Sequence, residues 1–100
     1  MNIQKMMKQA AKMQEQLTAS LAEKTAEVSV GGGKVTVVAN GLGDLVSIRI
    51  AKEVVDPEDV EMLEDLLTAA FNEAGRRAEE LLKSSMQGML GGLNLPEGLL

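Results

Sequence analysis

Residues 27–51 read EVSVGGGKVTVVANGLGDLVSIRIA, and the fold turns on them. Glu27 to Val30 alternates polar and apolar side chains, the period of a strand with one buried face. Gly31, Gly32 and Gly33 supply a turn, and Val35 to Ala39 continues as a second strand rich in β-branched residues. Asn40-Gly41 is a strong turn signal because both residues tolerate positive φ, and Leu42-Gly43-Asp44 lengthens the connection. Leu45 to Ala51 alternates again, with Val46, Ile48 and Ile50 on one face. The stretch predicts three antiparallel strands joined in sequence.

Helices are expected on both sides of it. Upstream, from Asn2 to about Thr25, the apolar residues Ile3, Met6, Ala10, Met13, Leu17 and Leu21 recur every three or four positions with no glycine or proline between them, which predicts a long amphipathic helix. Lys5, Lys8 and Lys12 share that spacing on another face and form a ladder. Downstream, Asp56-Pro57-Glu58-Asp59 has the chemistry of a helix start: a capping side chain, proline at the first helical position, and acids at the positive end of the dipole. Val60, Leu63, Leu67, Ala70, Ala74 and Leu81 keep the helical period to about Ser85, with Arg76, Arg77 and Lys83 towards the negative end. Beyond Gln87 the glycines are too frequent for a stable helix, so residues 1–87 are expected to form the domain and 88–100 a mobile Gly-rich tail.

Composition bounds what such an α-β-β-β-α chain can do. The 100 residues allow one domain, 45% of them are apolar, and the only aromatic is Phe71, so the core must be aliphatic. There is no histidine and no cysteine. That removes the usual zinc ligands, the thiol nucleophile and the side chain best suited to moving protons near neutral pH, so neither catalysis nor a metal or other cofactor is expected. Gly31-Gly32-Gly33-Lys34 lacks the spacing of a phosphate loop and is followed by Val35 where a hydroxyl would hold magnesium. The acidic run from Glu53 to Asp65 lacks the alternate-residue ligand pattern of a calcium loop; capping and solvation account for it. Lys5, Lys8 and Lys12 interrupt the apolar stretch a secretory signal would need, and no segment reaches the roughly 18 apolar residues that span a bilayer, so a cytoplasmic location is expected.

The net charge of −5 conceals a polarised molecule. Met1 to Gln14 carries three lysines and no carboxylate, whereas Glu53 to Asp65 carries Glu53, Asp56, Glu58, Asp59, Glu61, Glu64 and Asp65 and no base. Two helix stripes also present more apolar surface than three strands can cover, which favours a homodimer. Val35, Val37, Phe71, Ala74 and Gly75 are the expected interface residues, Gly75 because a glycine inside a helix permits close backbone approach.

Residues 61–80, EMLEDLLTAAFNEAGRRAEE, resemble the second-helix signature of the YbaB/EbfC family of bacterial nucleoid-associated proteins, most specifically between Leu66 and Arg77. Met6-Met7-Lys8-Gln9-Ala10 and Met13-Gln14-Glu15 are similar to the family's first helix. Val35-Thr36-Val37, Asn40-Gly41 and Leu95-Pro96-Glu97-Gly98 follow in the family's order. The resemblance implies an α+β fold with a three-stranded antiparallel sheet and two long helices, a tweezer-like homodimer, DNA binding, a nucleoid-associated place in the cytoplasm, and no enzymatic activity.

The expected function is therefore binding of duplex DNA, with Lys5, Lys8 and Lys12 as phosphate contacts and Arg76, Arg77 and Lys83 as secondary ones. Such contacts position the protein with little sequence preference. The alternative is a protein-interaction module in which the Met6–Met13 face and the apolar tail grip a partner protein. Lysines opposite an apolar stripe also suit a membrane surface, but the stripe is better used for packing, so no membrane association is expected.

Overall fold

The structure is a computed structural model, and it describes residues 2–92. The order is α1 (Ile3–Glu23), β1 (Thr25–Val30), β2 (Val35–Asn40), β3 (Leu45–Ile50), a 3-10 turn at Lys52–Val54, and α2 (Val60–Gly92). The strands form one antiparallel sheet in the order β1-β2-β3.

Register explains which residues make the core. Val28, Val37 and Ile48 stand opposite one another across the sheet, as do Val30, Val35 and Ile50, so these six share one face. α2 lies over β1 and β2 on that face. Val28, Val35, Val37 and Ala39 pack against Ala70 and Ala74, with Val30, Leu63, Leu66 and Leu67 around them. The alanines of α2 let the helix approach the sheet, and Val35 and Val37 lose all exposure. Each fully buried valine contributes about 1.5–3 kcal/mol. β3 gains none of this cover, and every residue of it is exposed.

Three local readings need correction. Thr25 opens β1 instead of ending α1. α2 starts at Val60, after a turn: the Asp56 carboxylate accepts from the Glu58 N–H at 2.9 Å, and Asp59 takes over capping by accepting from the Met62 N–H at 3.3 Å. Two aspartates three positions apart compete for the cap, and the one adjoining the apolar run wins. At the other end α2 continues past Gln87 to Gly92, because extending an existing helix costs only about 1 kcal/mol per glycine. The tail's Leu95-Pro96-Glu97-Gly98 lies outside the described residues.

The turns hold two more differences. Gly31, Gly32 and Gly33 all have positive φ, but at the second turn the glycine with positive φ is Gly43 and not Gly41. The Asn40 side-chain carbonyl instead accepts from the N–H groups of Leu42 and Asp44, both at 3.0 Å. Gly41 is needed for space: a Cβ there would lie 2.6 Å from Leu21 Cδ2. On β3, Val38 pairs with Ser47 and Ala39 with Leu45, so Val46 is the extra residue of a bulge and does not continue the Ile48–Ile50 row.

Candidate nucleic-acid interface

α1 enters the body only at its C-terminal end. Leu21 is buried, Leu17 is half-buried, and residues 3–16 are exposed along their length. The Gly41 N–H donates to the carbonyls of Leu21 (2.9 Å) and Lys24 (3.0 Å), tying the root of the helix to the second turn. Lys24 Nζ donates to the Ser85 hydroxyl at 2.8 Å, tying it to α2 as well. Gln16, Leu17, Ser20 and Lys24 face Ser85, Gly88 and Met89 across a cleft, so α2 runs antiparallel to α1 there. Beyond this root the helix projects as an arm. The Cα radius of gyration, 18.8 Å against about 13 Å for a compact chain of this length, reflects that extension.

The arm's charge follows from helical geometry. At about 100° per residue, Lys5, Lys8 and Lys12 fall within about 60° of one another and about 155° from the Ile3–Leu21 stripe. That stripe supplies Leu21 and Leu17 to the body, so the lysines look away from it. All three are exposed, and none forms an ion pair among the described residues. Asn2 caps the helix by accepting from the Lys5 N–H at 3.2 Å. No acid sits in the first turn to oppose the positive end of the dipole. Lysines, dipole and absent carboxylates give the outer arm one sign of potential.

The arginines have different surroundings. Arg76 donates to Glu73 from Nε (2.9 Å) and Nη2 (2.7 Å), and Arg77 donates from Nε to the other carboxylate oxygen at 3.3 Å. These hydrogen bonds, Arg76's first, hold the Glu73 carboxyl below the usual glutamate range. Lys83 is exposed, two residues before Ser85. Lys8 lies 16 residues before Lys24, about 24 Å of helix, while Arg77 lies eight residues before Ser85 on the side of the sheet. The antiparallel run therefore carries Lys8 and Arg77 apart, and the two groups do not meet within a protomer.

Of the expected interface residues, Val35, Val37 and Ala74 lie in the protomer's own core, Phe71 keeps 39% of its surface exposed, and a Cβ at Gly75 would meet nothing within 4 Å. Within the sheet, the open apolar surface lies on β3 at Leu45, Val46, Ile48 and Ile50. Lys24, Ser85 and Glu73 were not singled out from the sequence. Only Glu73 carried a readable signal, its three- and four-residue spacing to the arginines. The described residues contain no group of acids able to hold a metal ion and no helix long and apolar enough to cross a membrane.

Comparison with known proteins bears on the family and the fold. The model of the YbaB/EbfC DNA-binding family matches residues 1–93. A nucleoid-associated protein of Acidobacterium capsulatum is 57% identical over 103 residues, covering 97% of this chain and 94% of that protein. One from Alkaliphilus metalliredigens is 52% identical over 98 residues, covering 95% and 86%. Among solved structures, the uncharacterized protein HP0035 from Helicobacter pylori superposes with a TM-score of 0.76 at 29% identity, covering 90% of this chain and 98% of that one.

Proposed function

Because the chain belongs to the YbaB/EbfC DNA-binding family, we propose that it acts as a homodimer that grips duplex DNA through phosphate contacts from its projecting α1 arms. Membership assigns a DNA-binding role and not a catalytic one. The observation that carries the proposal is the outer half of α1, where Lys5, Lys8 and Lys12 project on one face with no carboxylate before Glu15. A dimer brings six such lysines, and a contact made of lysine–phosphate pairs weakens steeply with salt and reads little sequence. Lys83 and the Arg76–Arg77 pair are secondary contacts nearer the sheet. A nucleoid-associated place in the cytoplasm follows from this role.

The homodimer reading rests on β3. Ile48 and Ile50 continue the buried rows of β1 and β2 beyond the reach of α2, on an edge strand whose outer backbone groups are unpaired within the sheet. A second copy covers that face by symmetry. Ile48→Asp is expected to give monomers by sedimentation at micromolar concentration and to cut DNA affinity more than about tenfold, since two linked arms no longer bind together. A dimer that survives this change uses another surface.

The test of DNA binding is fluorescence anisotropy of a labelled duplex against wild type and the Lys5→Glu, Lys8→Glu, Lys12→Glu triple variant across a salt series. Wild-type affinity is expected to fall steeply with salt, and the folded variant to lose about a hundredfold or more at low salt. Equal binding by both proteins removes the arm from the interface. The second reading, a module that grips a partner protein, is favoured by the exposure of Met6, Met7 and Met13 on the same arm. It takes the lead if neither protein binds duplex at low salt.

A further inference from the structure

Both ion pairs among the described residues belong to one carboxylate. Glu73 receives Arg76 on one oxygen and Arg77 on the other, while Glu79 and Glu80, at equal helical spacing on the far side of the arginines, receive neither. An acid preceding a base by three or four residues is the better oriented pair on a helix, which accounts for the choice. The consequence is electrostatic. Two guanidiniums on adjacent residues repel, and the shared carboxylate holds them together while cancelling half of their charge.

A phosphodiester also presents two unesterified oxygens, and guanidiniums bind it by the same parallel donor geometry they use for carboxylates. The side chains concerned are open to such a ligand, with 62% of Arg76, 48% of Arg77 and 36% of Glu73 exposed. Ion pairs this exposed are weak and readily exchanged. We propose that Glu73 is a built-in competitor of the DNA phosphate at Arg76 and Arg77: it keeps the pair assembled, and it limits what the pair adds to DNA affinity. The inference rests on the DNA-binding reading above and extends it, since Glu73 is a residue whose removal strengthens binding.

The test combines Glu73→Gln with the Arg76→Ala, Arg77→Ala double variant in a DNA titration of the full-length dimer across a salt series. Glu73→Gln is expected to tighten binding about threefold to tenfold at low salt and to steepen the slope of log affinity against log salt by about one, the added counterion released when the unmasked pair meets phosphate. In the Arg76→Ala, Arg77→Ala background the same change is expected to move affinity less than about twofold, and so is Glu64→Gln, which removes a carboxylate from the same helix away from the arginines. Affinity unchanged or reduced by Glu73→Gln, with the double arginine variant still impaired, overturns the inference and leaves the DNA reading standing. If the double arginine variant binds like wild type, the arginines leave the interface and the inference falls with them. An equal gain from Glu64→Gln reduces the effect to net charge and also overturns it.

Discussion

The root of α1 and its outer half belong to one continuous helix, and they are held by opposite physics. At the root, Leu21 is 3% exposed against Gly41, two N–H···O bonds run from Gly41 to the helix end, and Lys24 reaches the Ser85 hydroxyl. In the outer half no described residue covers the helix: Ile3 is 68% exposed, Met6 52% and Met7 66%. Such a segment has only capping and propensity to keep it helical, and alone it would be marginal at this length. The root fixes a direction, and the outer half spends its side chains on charge. The proposed DNA contact therefore lies where packing is least, as expected when a rigid body presents an exposed element to a ligand.

That contrast makes substitutions diverge by position. The largest effect on stability is expected from Gly41→Ala, whose Cβ would sit 2.6 Å from Leu21 Cδ2 and 3.1 Å from the Leu21 carbonyl oxygen. Relief requires the root to shift, so urea unfolding should show a loss of about 1–3 kcal/mol, and DNA affinity should drop because the arm is redirected. If Gly41→Ala melts like wild type, the root is looser than the 2.6 Å approach to Leu21 implies. Ser85→Ala comes next. It removes one tether of Lys24 and is expected to cost about 0.5–1.5 kcal/mol by the same measurement. Smallest is Met6→Gln in the outer half, expected to stay within about 0.5 kcal/mol of wild type by thermal melting. A larger destabilisation there would mean that a second copy or another segment covers the stripe, and would erase the distinction between root and outer half.

The same contrast separates what the sequence discloses from what it hides. The strands, both helices and the lysine ladder were legible because each is written in a period: two for Glu27–Val30, between three and four for Ile3–Leu21. The family resemblance added the DNA-binding role. Contacts between distant residues were not legible. Nothing within ten positions of Lys24 points to Ser85, and Asn40-Gly41 looks like a turn demanding positive φ when Gly41 is there to admit Leu21. Helix ends were misread where local rules compete, with two aspartates contending for the start of α2 and glycines overruled by propagation at its end. Sequence alone could place Lys8 and Arg77 on two helices but not apart in space; the antiparallel run of α1 and α2 at the root decided that.

Whether the arm or the acidic pole meets DNA can be read from the methionines, which mark both regions. Met6, Met7 and Met13 lie on the arm, while Met62 lies among Glu58, Asp59, Glu61 and Asp65 at the start of α2, and all four are exposed. Methyl-labelled methionine followed by NMR during titration with a short duplex should show the three arm resonances shifting together, with Met62 unmoved and the shifts reversed by added salt. Shifts at Met62 with the arm silent would instead place the duplex on the acidic pole and remove the arm from the interface.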